Sequence, residues 1–494
     1  MQKIIYMCVI FILTACTDNF LDRYPITTLN ESNFYQTEQE YILLANGCYV
    51  PMRNFYKGGM WAITELRSDN TSIQQKADEG YFRNTGVIDC FLVVAGTSPF
   101  GDFWAAAYDG IYRCNKLLEE IDRPGVKWSK DSYKERCIGE ALFLRALNYF
   151  DLVRQFGGIP LVLKTLTPNE AVETKRATTD QVYESIISDL TEAILHFSNA
   201  ADVEENGRAN LGASQTLLGK VYLTLHEYNK AETILHEVIK SGKYSLLSNY
   251  KDLFNPSKKD YKETIFAMQY SEASSATANN FIFRFAPTAS KGAVTQRPSV
   301  NITMNGGFNQ PTQDLIEAFE KDDLRKNASI GFWTGKDWDG VIKTIPYCSK
   351  YKPPISAPND RCSDNFPILR YADVLLMYAE TLNNQDRTDE AIPYVMQVRS
   401  RAGLNTQLTG FNKTSLNDLI AHERQIEFCF ENQRWYDLVR TGKAIEVITA
   451  HGVREKILRP WLPANSFEIN QDKLLAPIPL LQITVNKLEQ NPGY

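Results

Sequence analysis

The sequence contains little of what most enzymes use for catalysis. Only five of its 494 residues are histidine, and none of them lies in an HExxH motif or beside a nucleophile motif. It also lacks a GxSxG elbow, a P-loop and a GxGxxG loop after a predicted strand. These absences argue against hydrolysis of the common kinds and against nucleotide-dependent chemistry. They predict no catalytic residue and no cofactor.

Basic charge and long apolar segments are also scarce. The chain carries 53 lysine and arginine residues against 59 aspartate and glutamate residues, which gives a net charge of -6. Nucleic-acid binding needs a concentrated basic surface, and the sequence has no such stripe. No segment after residue 16 approaches the roughly 20 apolar residues of a membrane span. We therefore expect a globular body that does not bind nucleic acid.

The N terminus has the features of a lipoprotein signal. Lys3 is followed by an apolar stretch at residues 4–13, which is too short to span a bilayer, and then by small residues typical of a secretory cleavage site. Cys16 comes directly afterwards. We predict that residues 1–15 are removed, that Cys16 is lipidated, and that residues 16–29 form a leash. The alternative is an ordinary signal peptide with a chance cysteine.

The remaining cysteines do not form a recognisable framework. None of them forms a CxxC pair, so a zinc or redox site of that kind is not predicted. An odd and scattered set favours buried free thiols, although Cys348 and Cys362 could also close a loop. The seven are Cys48, Cys90, Cys114, Cys137, Cys348, Cys362 and Cys429.

Two segments share the spacing of a tetratricopeptide helix pair. Gly219 lies 12 positions before Ala231, and Ala379 lies 12 positions before Ala391, with apolar residues at matching offsets. Small residues at this spacing let two antiparallel helices approach closely. We predict helix pairs near 212–242 and 371–403, stacked against neighbours because a single pair cannot bury its own apolar face.

The stretch between these pairs differs in character. Glycine, proline, asparagine, serine and threonine cluster over about 271–366, helical periodicity is lost, and aromatic residues recur. A long irregular segment is usually functional or disordered, and its aromatic content argues against disorder. We expect one mainly α-helical domain over 30–494 with a loop-rich insert, and a buried helix at 138–156, where apolar residues cover most faces.

One charged helix contains regularly spaced carboxylates. Glu423, Glu427 and Glu431 recur every four residues, with Arg424 and Arg434 nearby. Paired carboxylates can hydrolyse glycosides, but residues four apart on one helix point in the same direction and do not flank a substrate. A helix–helix contact through ion pairs is the preferred interpretation. The sequence at 337–340 resembles the start of a calcium loop, yet the later ligands are missing, and we predict no metal site.

A series of motifs in fixed order resembles the SusD/RagB family of outer-membrane nutrient-binding lipoproteins. The resemblance extends from the predicted lipid cysteine to the last residue and is weakest over 271–365. The motifs are LTAC at 13–16, FLD at 20–22, ELRSD at 65–69, Trp104, YRCN at 112–115, EALFLRALNYF at 140–150, PILRYADVLLMYAE at 367–380, VRSRAGL at 398–404, ERQIEF at 423–428, RWYDLVR at 434–440 and NPGY at 491–494.

The resemblance implies a SusD-like helical fold with tetratricopeptide-like pairs and an irregular part that carries the ligand surface. It implies a cell-surface protein of the outer membrane that acts as a lid over a SusC-like TonB-dependent transporter. Such proteins bind glycans or, less often, peptides, and are not enzymes. Trp435 and Arg145 lie in its strongest motifs, and we expect them to serve packing and buried charge pairing.

The resemblance also indicates ligand-binding residues, with one departure from the family pattern. Asp69 matches an acidic ligand-binding position, and Asn70 follows it. The arginine and tryptophan expected soon after are absent at clear positions, which puts a starch-type site in doubt. The residues nearest to them in character are Tyr81, Phe82 and Arg83.

The loop-rich insert supplies candidate aromatic platforms. Trp333 and Trp338 are the best candidates, because a sugar presents apolar C–H faces that lie flat on an aromatic ring. The alternative for each is that it caps an edge of the core. Trp61 and Tyr347 are weaker candidates.

We therefore expect a glycan-binding lipoprotein that captures oligosaccharides and delivers them to its transporter. Three alternatives are kept. The protein could capture peptides, it could serve only as a cap or scaffold for the transporter, or it could be a glycosidase.

The lipid anchor is testable on the expressed protein. Mass spectrometry of the mature N terminus should find acyl groups on Cys16, and globomycin, which inhibits lipoprotein signal peptidase, should block processing. Globomycin-insensitive cleavage, or a mature N terminus without acyl groups, would contradict the prediction.

Overall fold

The computed structural model describes residues 34–74, 85–259, 262–296, 306–337, 339–353 and 361–494. Cys16 and the predicted leash lie outside these ranges. Within them the fold is mainly α-helical, as predicted. The α-helices are α1 (Glu38–Gly58), α2 (Met60–Thr64), α3 (Thr85–Asp89), α4 (Ser98–Glu120), α5 (Asp131–Phe156), α6 (Pro168–Glu173), α7 (Thr179–Asn199), α8 (Leu211–Thr224), α9 (Tyr228–Lys240), α10 (Phe281–Phe285), α11 (Gln313–Ala318), α12 (Leu324–Ser329), α13 (Tyr371–Asn384), α14 (Thr388–Arg401), α15 (Lys413–Glu427), α16 (Arg434–Arg440), α17 (Ala444–Leu458) and α18 (Leu480–Thr484).

The described strands form three separate antiparallel two-stranded sheets. They pair β1 with β3, β2 with β6, and β4 with β5. The first pair is short, and only the last is a hairpin of neighbouring strands. The strands are β1 (Thr71–Ser72), β2 (Thr264–Met268), β3 (Gln310–Pro311), β4 (Ile330–Lys336), β5 (Ile342–Cys348) and β6 (Phe366–Arg370).

The long helices stack in nearly sequential order. Helix α1 packs on α4, α4 on α5, α5 on α7, α7 on α8, α8 on α9 and α9 on α13, which in turn packs on α14 and α15. Helix α5 is buried along most of its length, as its apolar character predicts. Each helix therefore covers the apolar face of its neighbours, which is how a helical repeat array builds a continuous core.

The two predicted helix pairs lie in this stack as α8–α9 and α13–α14. Each pair is joined by three residues, and the middle residue, His226 or Asp386, takes a left-handed conformation with φ of 58° or 62°. Gly219 makes the close approach possible, because a Cβ there would collide with the side chain of Leu235. Ala231 and Ala391 are fully buried, in agreement with the repeat spacing.

Local capping explains where several helices begin. Thr37 accepts a hydrogen bond from the backbone N–H of Glu40, whose carboxylate accepts one from the Thr37 N–H. Thr178 and Asn412 begin α7 and α15 with the same reciprocal arrangement. Each cap satisfies donors that the first turn of a helix leaves unpaired.

A buried charge network attaches the loop-rich insert to the helical stack. Five cations face five carboxylates, and every one of these side chains is less than a tenth exposed. Glu427 alone accepts ion pairs from Arg325 at 3.2 Å, Arg370 at 2.9 Å and Arg401 at 2.6 Å. The network comprises Arg325, Lys350, Arg370, Arg399 and Arg401 with Glu263, Asp323, Glu423, Glu427 and Glu431.

Several sequence predictions are confirmed here. Glu423, Glu427 and Glu431 serve ion pairing between elements, and Arg145 pairs with Asp189 at 2.7 Å inside the core. Trp435 is fully buried. All seven cysteines in the described ranges are buried free thiols. No helix in these ranges is both long and apolar enough to cross a membrane.

One difference from the sequence analysis concerns the insert. The segment from 271 to 366 is not irregular throughout, because it contains the seven-residue strands β4 and β5. The register pairs Ile330 with Cys348 and Lys336 with Ile342.

Removing one carboxylate from the buried charge network should be strongly destabilising. Glu427→Gln leaves three buried guanidinium groups short of a negative partner, so we expect a loss of about 3–5 kcal/mol in the free energy of unfolding. Urea denaturation monitored by circular dichroism measures this loss. Asp202→Asn, which breaks an exposed pair with Lys130, is the matched control and should cost less than about 1 kcal/mol. Equal effects of the two substitutions would contradict the role assigned to the network.

Candidate ligand-binding site

The first part of the candidate site is the segment at 65–74. It begins with a 3-10 turn, Glu65–Arg67, and continues into β1. Strand β1 pairs with β3, so that Thr71 lies opposite Pro311 and Ser72 opposite Gln310. This pairing brings residues 69–74 beside the loop-rich insert, although the two segments are far apart in sequence.

Asp69 and Asn70 are buried and bonded to the protein. The guanidinium of Arg434 contacts both carboxylate oxygens of Asp69, at 2.8 and 2.9 Å. Burial alone would raise the pKa of Asp69, but the charge and hydrogen bonds of Arg434 outweigh it and hold the pKa below its usual value. Gln425 donates to Asp69 and to the Asn70 side chain. With exposures of 5% and 0%, the two residues support the site from behind, and ligand contact by either stays a prediction.

The second part of the candidate site is the β4–β5 hairpin. Its chain reversal lies at 337–341, where the Asp337 N–H donates to the carbonyl of Val341 and the Gly340 N–H donates to the carbonyl of Asp337. Gly340 adopts a φ of 78° there, which glycine does without strain. Side chains of a strand alternate between the two faces, so the hairpin presents two chemically different surfaces.

One face of the hairpin carries Trp333 and Tyr347. Trp333 lies opposite Ile345, and Tyr347 lies opposite Gly331. Both rings spread over glycines, because a Cβ at Gly335 would collide with the indole and one at Gly331 with the phenol ring. The glycines in this strand therefore leave room for two half-buried aromatic rings on one side of the hairpin.

The two rings differ in what they pack against. Tyr347 contacts a small apolar cluster that contains Phe283 and Cys362. Trp333 is half-buried but belongs neither to this cluster nor to the main core of the described residues. Its indole N–H donates no hydrogen bond within the part of the chain that the structure describes. Trp333 therefore has both an aromatic surface and a donor available for a ligand.

The opposite face of the hairpin is exposed toward the tip, whereas Ile330 and Cys348 at its base are buried. Phe332 is 53% exposed and Ile342 is 67% exposed, with Thr334 and Thr344 hydrogen-bonded to each other at 2.8 Å between them. These residues alternate with Trp333 and Tyr347 along the strands, so they point away from the two rings.

The two parts of the site meet at the tip of the hairpin. The Gln74 side-chain amide donates to Asp337 at 3.3 Å, and the Gln74 backbone N–H donates to the carbonyl of Gly307 at 2.6 Å. Lys343 bridges Asp337 and Asp339 at 3.1 and 2.7 Å. The segment that contains Asp69 thus ends against the strand that carries Trp333.

Some predicted site residues cannot be placed. Tyr81, Phe82, Arg83 and Trp338 lie outside the described residues, so their ligand roles stay predictions. Trp61 is 3% exposed and packs on Phe308 and Phe285, which leaves no ring face open to a sugar. Gln74 and Lys343 are polar groups of the site that sequence reasoning missed.

A sequence signal for the hairpin was present. Asp339 and Gly340 stand between two stretches rich in β-branched and aromatic residues, and an Asp–Gly pair in that context is a strong hairpin indicator. The signal was obscured because glycines interrupt the alternation in β4.

The chemistry of the described site suits binding better than catalysis. It offers one indole, one phenol and a few polar side chains on a hairpin. Across the described ranges, no group of three or more histidine, cysteine, aspartate or glutamate side chains is arranged to hold a metal ion. Aromatic faces with polar groups at their margin suit a ligand with apolar faces and many hydroxyls.

Comparison with protein families gives two matches in this chain. Residues 341–494 match the SusD family, and residues 19–223 match a family described as starch-binding and associating with the outer membrane. SusD-like protein P25 of Formosa agariphila is 26% identical over 540 residues, covering 99% of both chains.

Solved structures resemble the fold along nearly its whole length. A laminarin-binding SusD-like protein is 27% identical, with a TM-score of 0.75, covering 93% of this chain and all of that one. A SusD superfamily protein from Parabacteroides distasonis has a TM-score of 0.77 at 24% identity, covering 94% of this chain and all of that one.

The segment behind the site contains a carboxyl group whose titration should affect stability. Glu65 is fully buried, and burial raises its pKa to about 7 in spite of a hydrogen bond from the Asn432 N–H. In the unfolded chain the group ionises near pH 4.5. Stability should therefore fall as the pH rises from about 4.5 to about 7, because only the folded state keeps the proton, by an amount on the order of 3 kcal/mol.

Glu65→Gln should remove this dependence. The stability of the variant minus that of the wild type should be larger at pH 8 than at pH 5. Urea denaturation midpoints of both proteins at the two pH values measure this difference. Glu446→Gln, at an exposed side chain, is the matched control. If the difference in stability between wild type and Glu65→Gln were the same at pH 5 and at pH 8, the proposed titration would be contradicted.

Proposed function

Because the chain belongs to the SusD family, we propose that it is a cell-surface glycan-binding lipoprotein of the outer membrane. In this proposal the protein captures oligosaccharides and delivers them to a SusC-like TonB-dependent transporter. Lipid on Cys16 holds it at the membrane. It performs no catalysis and uses no cofactor.

The observation that carries the proposal is the position of Trp333. The ring is half-buried on a well-anchored hairpin, packs on neither apolar core of the described residues, and has an indole N–H without a protein acceptor there. An indole in this state loses contact with water when a sugar face covers it, and that burial is favourable. The relative that binds laminarin supports a glycan as the ligand class.

The polar groups near the ring supply the second requirement of sugar binding. Hydroxyl groups that are removed from water need hydrogen-bond partners. Gln74, Lys343 and Asp339 lie at the tip of the same hairpin, where they bond to neighbouring protein groups, and they are the polar groups proposed for this role. Asp69 acts indirectly in this scheme, because its bond to Arg434 fixes the segment that ends in Gln74.

The proposal that the ligand is delivered to a transporter is supported by the family resemblance and by two expected properties of the site. A few stacked rings and hydrogen bonds give micromolar to millimolar affinity, which allows release. The hairpin is anchored at both ends, so we expect little backbone change on binding. Both properties suit a protein that passes its ligand on unchanged.

Trp333→Ala tests the site directly. Loss of the ring should weaken binding to the polysaccharide that the wild-type protein binds by about tenfold or more, roughly 1.4 kcal/mol, because the apolar contact area is removed. Affinity electrophoresis on a panel of polysaccharides, followed by calorimetry with the best oligosaccharide, measures this loss. Phe332→Ala is the matched control, since it removes an exposed ring from the opposite face of the same strand.

The outcomes separate the proposed function from its alternatives. Equal binding by Trp333→Ala and wild type would refute the stacking site. Binding to peptide pools but to no polysaccharide would identify a peptide-capturing protein. Co-purification with a transporter barrel, without any soluble ligand, would indicate a scaffold, and release of reducing ends from a glycan would indicate a glycosidase.

A further inference from the structure

A second cavity lies within the helical stack and shares no lining residue with the hairpin site. Its volume is about 270 Å³, and it opens between the ends of α5 and α8 and the side of α16. Apolar side chains form much of its wall, including Tyr183, Leu223, Met377, Val439 and Leu475. The cavity volume is just below the range of known small-molecule sites, which begins at about 300 Å³, and the cavity is too small for an oligosaccharide.

The polar part of the wall is dominated by cations. Arg154, Lys220, Arg424 and Arg440 line the cavity, whereas Asp437 is the one carboxylate residue in the lining. The carboxylates of Asp373 and Glu380 pair with these cations from outside the lining. The wall therefore presents more positive than negative groups to a molecule inside.

The position of Arg154 is fixed on both sides. Its guanidinium lies 3.9 Å from the ring centre of Phe150 and 3.7 Å from that of Tyr436, and Asp151 pairs with one of its nitrogens. A planar cation held between two rings is preorganised for an acceptor. Less orientational freedom is then lost when a ligand binds.

Two donors in the wall are unused. The Nη1 atom of Arg154 and the Nη2 atom of Arg424 have no acceptor among the described residues, whereas their other nitrogens bond to Asp151, Asp373, Asp437 and a backbone carbonyl. Arg424 has a side-chain exposure of only 2%. Neither atom is among the buried side-chain atoms that lack a partner, so both are accessible, and a ligand oxygen in the cavity could accept hydrogen bonds from them.

The local potential agrees with these contacts. Burial lowers the pKa of Lys220, and although Asp373 opposes this, the positive charges of Arg424 and Arg154 lower it further. Arg424 and Arg154 therefore add positive potential at this point of the wall, and positive potential favours an incoming negative charge.

We propose that this cavity is a second binding site for a small carboxylate with an apolar body. The carboxylate accepts hydrogen bonds from Arg154 and Arg424, and the apolar body lies among Tyr183, Leu223 and Met377. A sugar is disfavoured because its hydroxyl groups would lie against apolar walls without partners. The ligand is either a free organic acid or the C-terminal residue of a short peptide, since both present a carboxylate beside an apolar group.

Benzoate is a suitable probe, with benzamide as its neutral isostere. Calorimetry on the purified protein should show saturable one-to-one binding of benzoate and at least tenfold weaker binding of benzamide. N-acetyl-glycyl-phenylalanine and its C-terminal amide form the peptide arm. Tighter binding of the peptide acid than of benzoate would identify a peptide C terminus as the natural source of the carboxylate. Tighter binding of benzoate would identify a free organic acid.

Substitutions that fill the cavity connect the binding to this site. Val439→Trp in α16 should lower benzoate affinity at least tenfold, and Thr224→Trp in α8 should do the same. Val447→Trp, at a half-buried residue of α17 outside the cavity, is the matched control and should leave benzoate affinity unchanged. Circular dichroism and the urea denaturation midpoint of each variant report whether the protein is folded.

Three results would overturn the proposal. They are the absence of saturable binding by both benzoate and the peptide acid, equal binding of benzoate and benzamide, and unchanged benzoate affinity in both filled variants. None of these results bears on the Trp333 site, so failure here and failure of the proposed function are distinguishable.

Discussion

The position of the loop-rich insert depends on the burial of Glu427 among three arginines. Burial alone would raise the pKa of this carboxyl group, but the charges of Arg401, Arg370 and Arg325 hold it far below its usual range. Charges without partners are very costly to bury. The three arginines come from α14, β6 and α12, so any shift of one element relative to α15 separates a charge from its partner. The network therefore fixes geometry more than it adds net stability.

This constraint reaches the β4–β5 hairpin through both of its strands. Arg325 lies just before β4, and Lys350 lies just after β5, where its ammonium contacts Glu431 at 2.6 Å and the carbonyl of Cys429 at 2.7 Å. The tip is held separately by Gln74. A binding surface needs its groups held in position by such supporting contacts. The strand that carries Trp333 is held by these anchors, because Trp333 itself packs on neither apolar core of the described residues.

The helical part of the fold was predictable because its signals are local. The 12-residue spacing of Gly219 and Ala231, and the apolar faces of 138–156, report directly on helix contacts. The ion-pair role of Glu427 also followed from spacing along one helix. What the sequence could not indicate was which residues meet across long separations. Arg434 bonds to Asp69, 365 positions away, and this contact gives Asp69 a supporting role that the sequence did not indicate, while its predicted ligand contact stays a prediction. Likewise, the exposure of Trp333 and the burial of Trp61 depend on packing that neither local sequence reveals.

The platform and the anchors stand differently to the family matches. The matched segments cover 19–223 and 341–494; they include Asp69, Lys350, Arg370 and Glu427, but not Glu263, Asp323 or Arg325 of the network. Trp333 lies in the intervening part, which neither match covers. Burial of charge restricts the anchors to residues that pair, whereas a half-exposed position on an anchored hairpin tolerates many side chains. A change at residue 333 therefore alters the surface offered to a ligand while the register of the strands is retained. Ligand choice within such a fold can change through the platform because the charge network maintains its position.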